Sequence, residues 1–412
     1  MKSKKSSKTQ RSKYELLAPA GDFSMLSAAV NAGADAVYLG LKEFNMRANA
    51  GNFKISDLRE IKKICEKGRN GKVKIYLTLN TIMYNNELKK LEEIIKKTKK
   101  YVDAVICEDF AVVELCKKYK IPFHISTQAS VSNLKSALFY KKLGAERIIL
   151  ARELNLKQVR EIAKRGIEVE AFTHGAMCVS VSGRCFTSQF LFNKSANRGE
   201  CMHPCRRSYK VYNVIDNEEN ELKVENNKIF SAKDLCTLPF IERMKKAGIK
   251  AFKIEGRNRD ARYADTVVRV YRKALDKKLT KKELEQGLNE LKSIYNKGFS
   301  SGFYLGLPSV DDFSKTEHSS ADRKKHFIGK ITHVFPNINV IAVKVVSPFK
   351  VGEEISIIGK TTGIVNTSVE SMEIHNKQIK KAEKGKEVGI KIKISPNVII
   401  RKNDEVYVIR KR

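Results

Sequence analysis

Four cysteines, Cys178, Cys185, Cys201 and Cys205, crowd one short stretch of the chain, and a fifth, Cys236, follows downstream. The other three, Cys65, Cys107 and Cys116, lie in apolar or helical surroundings, where a free thiol behaves as a small buried hydrophobe. The opening Met1 to Lys13 is basic and polar with no apolar core behind it, and no apolar run is long enough for a bilayer span. A soluble, cytoplasmic protein is therefore expected, and in that compartment thiols stay reduced. Clustered thiols then read as metal ligands. Cys178 and Cys185 have six residues between them, wider than the two to four of a zinc-finger knuckle. Cys201-Met-His-Pro-Cys205 has three, and Ser208 stands where a CxxxCxxC radical-cluster loop needs its third cysteine. What remains is a four-thiolate site drawn from scattered loop positions, suited to zinc or to an iron–sulfur cluster; spacing does not separate the two. Unligated loop thiols are the bland alternative, disfavoured because Gly183, Arg184 and Pro204 describe exposed loop.

A second group of residues shares a different position: Gln128, Arg152, Glu153, His174, Glu255 and Arg257 all fall at or just past the end of a short apolar run. Glu255 could act as an acid–base group or a substrate clamp, and Arg257 as a fork for carboxylate or phosphate. Arg47, after the second run, could pair with a dicarboxylate. His174 could serve as a base, or only as a hydrogen-bonding residue of a loop. For each the alternative is an ion pair at a rim.

The elements that position these residues follow from periodicity. Short apolar runs at Glu15 to Ala18, Ala36 to Gly40, Val73 to Leu79, Ala104 to Cys107, Phe123 to Ser126, Arg147 to Leu150, Ile167 to Phe172 and Ala251 to Glu255 alternate with helical patterns. Asp22 and Asn155 stand where helix N-caps belong, and Gly33, Gly144 and Gly166 where helices stop. Eight such alternations predict a parallel (β/α)8 TIM-like barrel over 14–308. An open doubly wound sheet is the alternative, weakened because Ala18-Pro-Ala-Gly-Asp22 replaces a glycine-rich phosphate turn after the first strand. About 78 residues separate the seventh and eighth runs. This insertion, 174–249, carries the clustered cysteines, and loops that follow strands open on the face where barrel enzymes do their chemistry.

Residues 1–13 read as a disordered basic tail, 309–325 as a polar linker, and 326–412 as a small all-β barrel domain. That last domain holds 16 Lys and Arg against 8 Asp and Glu, so it either holds phosphate backbone or merely caps the barrel. Over the whole chain 80 basic residues face 46 acidic ones, a formal charge of +34. A polyanion, nucleic acid first, is the partner this implies, against the plainer reading of a generally lysine-rich surface. An anionic membrane surface is disfavoured, because no segment combines a basic face with a bulky aromatic one.

Glu170-Ala-Phe-Thr-His-Gly-Ala-Met-Cys178-Val-Ser-Val-Ser-Gly-Arg-Cys185-Phe-Thr-Ser188 resembles the signature segment of the collagenase-like peptidase family, peptidase family U-32, with a departure at Thr187, where the family usually has an aliphatic residue. Further matching stretches are Leu17 to Asp22, Gly33 to Gly40, Arg47 to Phe53, Asn197 to Cys201, Pro204 to Arg206, Lys253 to Arg257 and Gly298 to Tyr304. The layout is similar to that of the members that hydroxylate tRNA. The resemblance implies an iron–sulfur enzyme that makes 5-hydroxyuridine at the wobble position of tRNA, dependent on prephenate and independent of oxygen. Relatives act on a ribosomal RNA cytidine or in anaerobic ubiquinone synthesis. It also implies a four-iron four-sulfur cluster on Cys178, Cys185, Cys201 and Cys236, with Cys205 the extra thiol. Two readings compete. A cysteine peptidase would pair Cys178 with His174 but leaves the other cysteines unexplained, and a metallopeptidase lacks its HExxH. A zinc-stapled RNA-binding module explains charge and cysteines but not a polar barrel mouth.

Overall fold

The computed structural model describes residues 13–69, 71–209, 230–316, 319–393 and 398–412, so nearly all of the expected basic tail lies outside them. The first half alternates strand and helix: β1 (Glu15–Ala20), α1 (Phe23–Ala32), β2 (Ala36–Gly40), α2 (Leu58–Cys65), β3 (Lys74–Leu79), α3 (Leu88–Thr98), β4 (Ala104–Cys107) and α4 (Phe110–Lys118). The alternation continues through β5 (Phe123–Ile125), α5 (Leu134–Lys142), β6 (Arg147–Ile149), α6 (Leu156–Ala163) and β7 (Val169–Gly175). After the excursion of α7 (Thr187–Phe192) and β8 (Asp234–Cys236), α8 (Ile241–Lys246) leads into β9 (Ala251–Ile254), α9 (Ala261–Asp276), α10 (Lys281–Ser293) and β10 (Phe299–Ser300). Strands β1 to β7 pair in parallel with their neighbours, and β9 closes the ring by pairing with both β7 and β1. The predicted (β/α)8 barrel is the fold observed.

Local chemistry sets the element boundaries. Asp22 accepts a hydrogen bond from Met25 N at 2.8 Å and starts α1, which Gly33 ends at φ 100°. Asn155 starts α6 with a capping box closed by Gln158. Strand residues are buried on both faces, as a parallel sheet enclosed by helices requires.

The interval expected as insertion, 174–249, contains framework as well as excursion. β8 runs antiparallel to the end of β7, with Cys236 opposite His174, and β10 extends β8. Residues 210–229 of the excursion lie outside the described set. The stretch expected as a linker is tied down by Lys233 N to Asp312 O at 2.9 Å and Ser320 N to Asn296 O at 2.7 Å, and strand already begins at Arg323.

The second domain comprises β11 (Arg323–Phe335), β12 (Val340–Val345), β13 (Phe349–Lys350), β14 (Glu354–Gly359), β15 (Gly363–Ile374), β16 (Lys377–Ile379), β17 (Lys381–Ala382), β18 (Glu387–Ile392) and β19 (Glu405–Lys411). Its main sheet is antiparallel and closes through a β14–β15 pairing around Ile331, Ile341, Val343, Ile357, Ile390 and Val406. It docks on the barrel at α1 and α2, where Ser27 Oγ of α1 donates to Lys360 O at 2.7 Å and Lys360 pairs with Glu60 of α2 at 2.9 Å.

Candidate active site at the barrel mouth

Charged side chains fill part of the barrel interior. Arg147 on β6 pairs with Glu15 at 2.6 Å and with the fully buried Glu170 at 3.1 Å. Glu170 also takes Lys253 at 3.1 Å, and that ammonium lies 4.4 Å from the ring centre of Tyr38. Buried charge is tolerable only when paired in this way. The ladder leads along β9 from Lys253 to Glu255 at the mouth.

Glu255 is the hub. Arg47 holds its Oε1 through Nε at 3.3 Å and Nη2 at 3.2 Å, while Arg152 Nη2 stands 3.5 Å from Oε2. Burial alone would raise its pKa, but Arg47, Arg152, Arg257 and Lys253 outweigh burial and hold it down at about 2. Glu255 is therefore a fixed anion at neutral pH and not a general acid. Arg152 is itself fixed by Ala176 O at 2.7 Å and by the Phe172 ring, 3.6 Å below its guanidinium. Arg257 donates to Thr78 Oγ1 at 3.1 Å, and its buried Nε has no acceptor among the described residues. Burial lowers its pKa to about 10. Gly40 leaves room for this guanidinium, since a Cβ there would stand 2.3 Å from Arg257 Nη1.

Outside this hub lies a cavity of about 120 Å³ whose walls include Cys178, Cys185, Cys201 and Cys205 together with Arg47, Gln128, Arg152, Glu153, His203 and Arg206. The loop after β2 holds the cysteine segment in place. Ala48 N donates to Gly199 O at 3.0 Å and Asn49 Nδ2 to Cys201 O at 3.3 Å. Gly199, at φ 94°, packs so tightly that a Cβ would stand 2.2 Å from Asn45 O. Cys178 is exposed and the other three are half-buried. Burial, reinforced by Cys178, pushes the Cys205 thiol up to about 11, and Cys201 and Cys185 act in the same direction. Gln128 is oriented by Asn80 Nδ2 at 3.1 Å and by the Ser126 hydroxyl. Among the described residues no three His, Cys, Asp or Glu side chains form a site for a single metal ion. The thiols surround a cavity and do not meet at one point.

Arg47, Gln128, Arg152, Cys178, Cys185 and Cys201 are thus brought to one cavity, and Glu255 and Arg257 lie beside it. Two expected residues are placed elsewhere. Cys236, expected as the fourth ligand, is buried behind β7 and takes a hydrogen bond from Tyr271 Oη at 3.7 Å; burial raises its pKa to about 11. The β7–β8 pairing turns it away from the cavity, whose fourth thiol is Cys205, expected as the spare. His174 is enclosed by Tyr263, Tyr271 and Phe299, and burial, with Arg259, lowers its pKa to about 3. It does not line the cavity, so the Cys178–His174 pair expected of a cysteine peptidase is not assembled. His203 and Arg206, not anticipated from the sequence, do line it; Arg206 is held by Met177 O at 3.0 Å and Asp234 at 3.5 Å.

Fold and site together define a TIM-like barrel protein whose C-terminal mouth joins a buried arginine–glutamate hub to a thiol-lined cavity. The chain belongs to peptidase family U32, whose model matches residues 21–313. It is 40% identical over 408 residues to an uncharacterized protease of Methanocaldococcus jannaschii, covering 96% of this chain and 98% of that one. Identity is 36% to a collagenase of Porphyromonas gingivalis, over 97% of this chain and 98% of the relative. To tRNA hydroxylation protein P1 of Bacillus subtilis it is 34%, over 84% of each. Among the described residues no helix is long and apolar enough to cross a membrane.

Proposed function

We propose that this protein is an iron–sulfur enzyme that hydroxylates the wobble uridine of tRNA, by a route that uses prephenate and not oxygen. The single observation that carries the reading is the junction of four cysteines with Arg47, Arg152 and Gln128 around one cavity. The relative named tRNA hydroxylation protein P1 supports hydroxylation of tRNA, and the net charge of +34 suits an RNA substrate. A cluster would be held by Cys178, Cys185, Cys201 and Cys205. Four thiolates on the walls of one cavity suit a polynuclear iron–sulfur group, with zinc the alternative. When bound, a four-iron four-sulfur cluster supplies one-electron redox chemistry.

The chain's own residues have separable tasks. Arg47, Arg152 and Arg206 offer a positive wall to a small dicarboxylate such as prephenate. Gln128, fixed by Asn80, presents an amide to the edge of a base that has left its stack. Glu255 keeps two of the guanidiniums, those of Arg47 and Arg152, in place on either carboxylate oxygen. A ribosomal RNA target remains an alternative substrate of the same chemistry. A peptidase reading has the name of the collagenase relative in its favour; the buried His174 is not placed to serve Cys178, the histidine on the same cavity wall is His203, and one thiol–histidine pair would leave the other three cysteines unexplained.

The test is nucleoside mass spectrometry of tRNA from a strain deleted for the gene and complemented with wild type or Cys178→Ala. Wild type restores 5-hydroxyuridine derivatives and the variant does not. Unchanged tRNA in the deletion strain would overturn the reading.

A further inference from the structure

The rim of the cavity carries aromatic rings turned to solvent. Phe186 and Phe190 are 77% and 87% exposed, and they flank Thr187 on the segment that follows Cys185. Cys185 and Thr187 line the cavity, so these rings stand at its edge. Isolated exposed apolar side chains need no explanation, but neighbouring aromatic rings at a polar mouth do. Cations accompany them. The Arg207 guanidinium lies 4.4 Å from the ring centre of Phe192, and that of Arg198, itself paired with Glu87, lies 4.6 Å from the half-exposed Tyr84. Asn197 accepts from Cys185 N at 2.9 Å, which ties the Arg198 segment to the same wall.

Cavity size adds the second part of the argument. About 120 Å³ is small beside the roughly 300–1,000 Å³ of pockets that enclose whole drug-sized ligands. The cluster proposed on the four thiols takes part of that volume, so at most one unit of a polymeric substrate can reach into it, and its neighbours must rest on the rim.

We propose that Phe186 and Phe190 form a stacking platform for the nucleotides that flank the inserted base, so that a single-stranded RNA loop is the occupant of this face. This rests on the RNA reading above. Unstacked bases have apolar faces and an anionic backbone, the complement of solvent-facing rings among arginines on a chain of charge +34. The rings give affinity with little sequence preference, and the cavity selects the base.

The test is fluorescence anisotropy of a labelled anticodon stem-loop with an unmodified wobble uridine, using full-length protein purified without oxygen. Wild type, a Phe186→Ala/Phe190→Ala double variant and a Phe186→Tyr/Phe190→Tyr double variant are compared across a salt series. The alanine pair should weaken binding at least about tenfold, with the tyrosine pair within about twofold of wild type. The salt slope should be equal in all three, because no phosphate contact has been removed. Equal binding by wild type and the alanine pair overturns the platform and leaves the RNA reading intact. Failure of wild type to bind overturns both. A lower sedimenting mass for the alanine pair than for free wild type assigns the rings to contact between copies and also overturns the proposal.

Discussion

Replacing Glu255 by Gln probes the hub without changing its shape. The wild-type carboxylate is held at about 2 instead of 4.5, a displacement worth roughly 3 kcal/mol of stability near neutral pH. Because the folded pKa is depressed, this contribution is fully present above the unfolded value of about 4.5 and is lost as pH falls through about 2. The amide removes the charge and leaves Arg47, Arg152 and Arg257 close together with no anion among them. Urea unfolding followed by circular dichroism should show a loss of about 3 kcal/mol near pH 7, shrinking to about 1 kcal/mol near pH 3. Tryptic digestion of the loop after β2 should accelerate in parallel, since Arg47 is anchored there by Glu255. A loss under about 1 kcal/mol at neutral pH, or one that does not shrink in acid, would refute the assignment of Glu255 as the charge that organises the mouth.

Buried His124 and His174 are both held neutral, with pKa values pushed below 6.5 by burial, His174 to about 3. Their contribution is present above about pH 6.5 and drains away as pH falls, each adding up to about 1.4 kcal/mol per pH unit; His174→Phe should flatten the stability profile between about pH 6 and pH 4 in chemical denaturation. Gly40→Ala would put a Cβ 2.3 Å from Arg257 Nη1 and 2.7 Å from Asn45 Cγ, so uridine hydroxylation should fall roughly tenfold to a hundredfold while iron content stays at the wild-type level. Cys205→Ser should lose iron and Cys236→Ser should keep it; the opposite pattern would restore the ligand set that the sequence resemblance implies.

The barrel was legible because short apolar runs alternate with helical patterns whose ends carry caps or glycines, as at Asp22, Gly33 and Asn155. In the second domain β15 is the strand least legible in the sequence, because Asn366, Thr367, Ser368 and Glu370 interrupt its apolar alternation. The mouth residues were legible from one rule, that side chains at strand ends face the site. That rule found Arg152, Glu255 and Arg257 but could not foresee that β8 folds back on β7 and turns Cys236 and His174 inward. The inner ladder of Arg147, Glu170 and Lys253 did leave a signal: charged residues inside otherwise apolar strands, which a closed barrel can bury only as pairs. His203 and Arg206 had none beyond lying beside cysteines.

The central claim, that the thiol-lined cavity holds a cluster on which RNA hydroxylation depends, is tested most directly by iron and acid-labile sulfide analysis of protein purified without oxygen, with tRNA nucleosides measured from the same cells. The account predicts about four irons and four sulfides per wild-type chain, and joint loss of the metal and of 5-hydroxyuridine derivatives in Cys178→Ala. Colourless protein containing one zinc, or a Cys178→Ala variant that still hydroxylates tRNA, would contradict it.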